Sequence, residues 1–96
     1  MSEAVAAAVA ALNERLAGEG MDGSLRIVIE DEGALLVDES GARAGDGEAD
    51  CTLTASAETF GDMLGGALDP TSAFMGGRLT IDGDMGLAMR LASLLA

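Results

Sequence analysis

The first apolar residues of the chain recur at the spacing of an α-helix. Ser2 can cap this helix, which we expect to run to about Ala17 before Gly18 and Gly20 end it. The apolar residues that share one stripe of the helix are Val5, Val9, Leu12 and Leu16. The pattern therefore predicts an amphipathic helix with one face turned toward a core.

Alternating apolar and polar residues come next, and this period is typical of half-buried strands. An acidic turn at residues 30–33 joins the first two strands into a hairpin. We predict strands at residues 24–30, 34–38, 42–44, 50–55 and 78–82, of which the third is short.

Capping residues in the second half of the chain mark the starts of three more helices. Ser56 and Asp84 can cap helices that run to residue 64 and to about residue 95, and Asp69 with Pro70 opens a short one through residue 75. The order of elements predicts an α+β fold in which helices cover a mainly antiparallel sheet of about five strands. A chain of 96 residues is expected to form a single domain, residues 1–96.

The last helix carries more apolar surface than a helix needs to cover a sheet. On a wheel at about 100° per residue its apolar side chains span an arc of roughly 220°, whereas a covering helix needs a stripe of about 100° or somewhat more. These side chains are Met85, Leu87, Ala88, Met89, Leu91, Ala92, Leu94 and Leu95. The surplus predicts contact with a ligand, a partner chain or the shorter helices.

Side-chain size points to unfilled space in the same region. The chain is apolar, yet Phe60 and Phe74 are its only aromatic residues among many alanines and glycines. An apolar void costs roughly 24 cal/mol per Å³, so a ligand that fills it binds favourably. Four methionines, which can adapt to varied apolar shapes, fall here: Met63, Met75, Met85 and Met89. An ordinary core filled by these side chains is the alternative.

Charge excludes several classes of partner. The formal net charge is −12, and the basic residues are five scattered arginines. Nucleic acid is therefore a poor partner, and anionic membrane surfaces repel the chain. No stretch approaches the roughly 20 apolar residues of a spanning helix, so we expect no stable membrane insertion. Arg15 or Arg26 could pair with a ligand carboxylate, although a surface ion pair is the ordinary alternative.

The residue types argue against catalysis and against cofactor or metal binding. Histidine is absent, so the serines and Cys51 have no obvious base to activate them. Cys51 lies on an apolar strand face, which predicts a buried hydrophobe, and a lone cysteine fits the reducing cytoplasm. The glycine pattern at residues 18–23 follows a helix instead of a strand, and the acidic turns lack the spacing of a calcium loop. We therefore expect no enzyme, cofactor or metal site.

The second half of the chain contains short stretches in a characteristic order. They read ADCTLT at residues 49–54, Phe60, LDPTSAFMGGRLTI at residues 68–81 and GDMGLAMRL at residues 83–91. This half resembles the sterol carrier protein 2 family, while residues 1–48 agree only in the order of helix, glycines and hairpin. Family members often carry lysines here, whereas this chain has none.

The resemblance implies a helix-covered sheet that encloses an apolar cavity or tunnel for fatty acyl chains, sterols or similar lipids. It implies transfer or presentation of the lipid without catalysis. The matching residues for the lipid-binding lining are Phe60, Leu64, Phe74, Met75, Leu79, Ile81, Met85, Leu87 and Met89. The rival hypothesis is a protein-interaction scaffold in a lipid-modifying or quinone-synthesis assembly. In that case the C-terminal helix would pack against a second copy of the chain, as a homodimer, or against a partner protein.

Overall fold

The computed structural model describes residues 2–16, 20 and 22–95. Its helices are α1 (Glu3–Leu16), α2 (Ala57–Leu64), α3 (Pro70–Met75) and α4 (Met85–Leu95). Its strands are β1 (Leu25–Ile29), β2 (Gly33–Asp38), β3 (Gly41–Ala44), β4 (Cys51–Ala55) and β5 (Thr80–Gly83). The predicted α+β class and the predicted order of elements are confirmed.

The predicted capping residues begin their helices. In each case a side-chain oxygen accepts a backbone N–H two or three positions later, which satisfies an amide that has no partner inside the helix. The bonds join Ser2 to Val5 (3.1 Å), Ser56 to Thr59 (3.1 Å), Asp69 to Thr71 (3.2 Å) and Asp84 to Gly86 (2.8 Å). The predicted end of the first helix near Ala17 and Gly18 lies outside the described residues.

The five strands form one sheet in the order β3-β2-β1-β4-β5. The pairs β1–β2, β2–β3 and β4–β5 are antiparallel, which agrees with the mainly antiparallel sheet predicted from the order of elements, and β1–β2 is the predicted hairpin. The central pair, β1 with β4, is parallel. β3 lies at one edge of the sheet. From its end, residues 45–50 lead the chain back to the side of β1 that does not pair with β2. It then enters β4 in the same direction as β1.

The last strand begins two residues later than predicted. Arg78 and Leu79 were expected in it, but their backbone N–H groups both donate to the carbonyl of Ala73, at 2.8 and 3.1 Å. These bonds close the turn after α3 and take the two amides out of sheet pairing. Leu79 is nevertheless buried in the hydrophobic core.

One hydrophobic core lies between the sheet and the helices. α1 packs on β2 and β3, while α4 packs on β4 and β5. The side-chain amide of Asn13 fixes α1 to the edge strand, since it donates to the carbonyl of Ala42 (2.9 Å) and accepts from the same residue's N–H (2.8 Å). None of the helices among the described residues is long and apolar enough to cross a membrane.

Cys51 is a core residue, only 1% exposed and not in a disulfide. Burial raises the pKa of its thiol, and the carboxylates of Asp84 and Asp82 raise that pKa further. Since the thiolate is the reactive form, we expect iodoacetamide at pH 8 to label the native protein at least roughly a hundredfold more slowly than the unfolded chain. Mass spectrometry of timed samples, with and without denaturant, measures both rates. Equal rates would show that Cys51 is open to solvent.

Candidate functional site

An apolar pocket lies between the sheet and all four helices, with a volume of about 50 Å³. Its floor is a row of three side chains, Ile27, Leu53 and Ile81, which the strand register places next to one another across β1, β4 and β5. Ala8 and Leu12 of α1 close one side. The pocket thus forms where the apolar face of the central sheet meets the helices.

The pocket opens to solvent between α3 and α4. Three of its lining residues are also exposed: Phe74 by 41%, Met85 by 44% and Met89 by 51%. Thr71, on the first turn of α3, is a fourth lining residue that solvent reaches. We call these four residues the mouth of the pocket.

The pocket is narrow. A space of about 10–15 Å³ on this measure holds one water molecule, and an apolar cavity of about 150 Å³ takes up benzene. At about 50 Å³, the pocket lies between these sizes. An unfilled apolar space of this size costs about 1 kcal/mol, a cost that the fold can sustain.

Most of the residues predicted from the sequence to form the lining do border this pocket. They are Phe60 and Leu64 of α2, Phe74 of α3, Leu79 in the turn before β5, Ile81 of β5, and Met85 and Met89 of α4. Phe60 and Leu79 are buried, and Leu64 and Ile81 are half-buried. Part of the surplus apolar face that the sequence predicts for α4 borders the pocket, through Met85, Ala88, Met89, Leu91 and Ala92.

Two predicted residues, Met75 and Leu87, do not border the pocket. Met75 is 81% exposed at the end of α3. Leu87 is buried, but its side chain packs against Gly23, in the space that a Cβ there would occupy.

Other lining residues are absent from the sequence-based list. They are Ala8, Leu12, Ile27, Leu53, Met63, Pro70, Thr71, Ala88, Leu91 and Ala92. Their apolar periodicity was visible in the first helix, the strands and the last helix. Periodicity identifies a core-facing side chain, but it does not show which part of the core is left unfilled.

The described lining is apolar except for the hydroxyl of Thr71. Arg26, one candidate for a ligand carboxylate, instead pairs with Asp46, and one of the two contacts measures 3.1 Å. The hydrogen bond from Arg26 lowers the pKa of the Asp46 carboxyl. The side chain of Arg15 donates to the carbonyl of Leu64. Such a lining can hold an apolar molecule but offers it no charged partner.

Helices cover one sheet, and an apolar pocket lies beneath the last of them. The chain belongs to the SCP-2 sterol transfer family, whose model matches residues 2–96. The family predicted from the sequence is therefore confirmed.

Relatives with known names match parts of the chain. Hydroxysteroid dehydrogenase-like protein 2 of Danio rerio is 51% identical over 57 residues, which are 55% of this chain and 14% of that protein. Sterol carrier protein 2 of Homo sapiens is 47% identical over 49 residues, which are 51% of this chain and 9% of that protein. The chain thus corresponds to a small part of each relative.

Solved structures share the whole fold. The crystal structure of Sterol Carrier Protein 2 Like 2 from Aedes aegypti superposes with a TM-score of 0.77 at 22% identity, covering 94% of both chains. The solution structure of Sterol Carrier Protein-2 from Aedes aegypti, in complex with palmitate, gives a TM-score of 0.79 at 20% identity. It covers 100% of this chain and 97% of that one. At these identities the likeness establishes the fold.

Proposed function

We propose that this protein binds an apolar lipid, such as a fatty acid or a sterol, in the pocket and transfers or presents it without altering it. The observation that carries the proposal is the apolar pocket between α4 and the sheet in a member of the SCP-2 sterol transfer family. The relative from Aedes aegypti, with the same fold over this whole chain, is a complex with the C16 fatty acid palmitate. The residues in the role of lipid contacts are those that border the pocket, above all Phe60, Phe74, Met85 and Met89.

The pocket has to widen to admit a lipid. Sites for small molecules usually measure about 300–1,000 Å³, several times the space seen here. Met85 and Met89 stand at the mouth, and their flexible, half-exposed side chains can rearrange around an acyl chain. Each methylene that leaves water contributes about 0.8 kcal/mol, so a chain of several methylenes can offset the cost of parting α3 from α4.

A non-catalytic role is supported by the chemistry of the lining. Proton transfer or nucleophilic attack needs a positioned acid, base or activated nucleophile beside the substrate. The described lining presents hydrocarbon, thioether and a single hydroxyl, from Thr71. We also propose a cytoplasmic location, because the one cysteine, Cys51, is buried as a thiol and reduced thiols are maintained there.

Native mass spectrometry of gently purified protein tests the proposal. We expect adducts of lipid mass that exchange when an excess of a different acyl chain is added, with one lipid per pocket. The delipidated protein should take up dodecanol or dodecanoate from solution. A clean unliganded mass, together with no uptake of either probe, would overturn the proposal.

Contact of α4 with a second copy or with a partner protein is a second candidate. Exposed Met75, Met85 and Met89 favour it, because a partner would cover them. Two of these side chains also border the pocket, which is why lipid binding remains the stronger proposal. Sedimentation separates the two: a dimer that persists without lipid and ignores added lipid would favour the second candidate.

A further inference from the structure

We infer that Met85 and Met89 form a site of reversible oxidation, where conversion of their thioethers to sulfoxides weakens the binding of lipid. The inference rests on the proposed function and adds a means of regulating the same pocket. It starts from two properties that these side chains share: both border the pocket, and they are 44% and 51% exposed. A dissolved oxidant can therefore reach them while the protein stays folded.

The other two methionines among the described residues each have only one of these properties. Met63 borders the pocket but is 2% exposed, so the fold shields it from solvent. Met75 is 81% exposed but does not border the pocket. Met85 and Met89 lie four residues apart on α4, which places them on the same face of the helix. Of the four, this pair alone is both open to an oxidant and next to the proposed ligand.

The oxidation is an oxygen transfer from hydrogen peroxide to sulfur. A lone pair of the sulfur attacks one peroxide oxygen, the O–O bond breaks and an S–O bond forms. The leaving oxygen takes up the proton of the transferred oxygen and departs as water. Sulfur is oxidised and the peroxide is reduced, with no other reactant. Methionine sulfoxide reductases reverse the change with a dithiol, which becomes a disulfide while the oxygen leaves as water.

A sulfoxide does not fit the lining of this pocket. It replaces an apolar, flexible thioether by a polar group that accepts hydrogen bonds. The hydroxyl of Thr71 is the one side-chain donor in the described lining, so a sulfoxide covered by lipid loses its bonds to water without replacement. A sulfoxide that turns toward water instead leaves the acyl chain without that part of the wall. Lipid binding is weaker in either case.

The fold itself does not depend on the two thioethers. Both side chains already reach solvent, whereas Leu87 and Leu91, which are 7% and 2% exposed, bury the other part of α4 in the core. Oxidation at the mouth should therefore leave the circular dichroism spectrum and the melting transition close to those of the untreated protein.

Brief treatment of delipidated protein with dilute hydrogen peroxide tests the inference. The excess peroxide is removed with catalase, and the dissociation constant of a fluorescent acyl probe is compared with that of untreated protein. When Met85 and Met89 are oxidised, we expect this constant to rise at least roughly fivefold. Methionine sulfoxide reductases with dithiothreitol should return it to within about twofold of the starting value.

Mass spectrometry identifies which methionines carry oxygen. Trypsin cleaves after Arg78 and Arg90, so Met85 and Met89 are found together on the peptide of residues 79–90. Met63 and Met75 fall on a different peptide, that of residues 44–78. The affinity can thus be compared directly with the oxidation of the pair.

Two variants separate the pair from the other methionines. One carries Met85→Leu with Met89→Leu, the other Met75→Leu, and leucine has a similar volume but no sulfur to oxidise. Each variant is compared with its own untreated sample, so that any change in its basal affinity cancels. Peroxide should leave the affinity of the double variant within about twofold, while the Met75→Leu protein should lose as much affinity as the wild type.

Protection by a bound lipid gives a second measurement, on the wild type alone. With dodecanoate at a saturating concentration, oxidation of Met85 and Met89 should slow at least about threefold, because few pockets are then empty, and that of Met75 should not change. Undiminished affinity of the wild type with both residues oxidised would overturn the inference, as would an equal loss in the double variant or no protection by dodecanoate. If the untreated wild type binds neither the acyl probe nor dodecanoate, the proposed function itself fails, and the inference with it.

Discussion

Replacing Ala92 with phenylalanine should weaken the binding of a long acyl chain at least tenfold while the protein stays folded. Ala92 is half-buried on α4 and borders the pocket, one turn after Met89 at the mouth. A ring at this position fills the space that part of the ligand would use. Excluding even two methylenes removes about 1.6 kcal/mol of binding free energy, which is more than a factor of ten. Titration of delipidated protein with a fluorescent acyl probe measures the loss.

Ala7→Phe is the matched control for this variant. Ala7 is exposed on α1 and is not among the pocket residues, so the same side chain is added away from the proposed site. We expect its affinity for the probe to stay within about twofold of the wild type. Thermal melting should show the two variants folded, with stabilities within about 2 kcal/mol of the wild type. A folded Ala92→Phe protein with undiminished affinity would place the lipid somewhere else.

The pocket of the unliganded protein is small. A void of about 50 Å³ costs the fold about 1 kcal/mol, so the unliganded protein can exist as a stable, partly closed form. If the proposed function holds, we expect ligand binding to require the separation of α3 from α4 at Phe74, Met85 and Met89. An aromatic ring at residue 92 occupies the existing space and leaves the lipid only the part that has to be opened.

Much of the fold could be predicted because its signals are local. Ser56, Asp69 and Asp84 stand where caps are required, and the hydrogen bonds of the structure confirm them. The alternation in β1 and β4 likewise matches the burial of every second residue. Such local signals do not predict contacts that depend on how separate segments of the chain come together. The parallel pairing of β1 with β4 depends on where the chain returns after β3, and the turn at Leu79 depends on the carbonyl of Ala73.

The pocket lining was only partly predictable for a related reason. The sequence shows which faces are apolar, and it identified the surplus on the last helix that borders the pocket at Met85 and Met89. Met75 and Leu87 are equally apolar, but Met75 is exposed to solvent and Leu87 packs against Gly23. To predict that Met85 and Met89 border the pocket while Met75 and Leu87 do not, one needs the position of each helix on the sheet. Ala8 and Leu12 joined the lining through the packing of α1, which no local pattern specifies.

Replacing Gly83 with alanine should be among the most destabilising single changes in this chain. Gly83 ends β5 opposite Cys51 with φ of 107°, a conformation that side chains other than glycine rarely adopt. An added Cβ would overlap the carbonyl oxygen of Asp50 and lie 3.0 Å from the Cα of Cys51. Both neighbours are backbone atoms, of Cys51 at the start of β4 and of Asp50 just before it, so β5 and this segment have to move apart. We expect the free energy of unfolding to fall by about 3 kcal/mol or more, and the Tm by roughly 10–20 °C.

Gly61→Ala should change the free energy of unfolding in the opposite direction. Gly61 lies in the exposed part of α2, and an added Cβ there would meet nothing within 4 Å. Alanine favours the helix over glycine by about 0.5–1 kcal/mol, so this variant should be slightly more stable than the wild type. Urea titration followed by circular dichroism measures both variants. If Gly83→Ala unfolds at the wild-type midpoint, the close approach of β5 to β4 at this end of the sheet is wrong. The position of Ile81 on the pocket floor would then need revision, because the same register sets it.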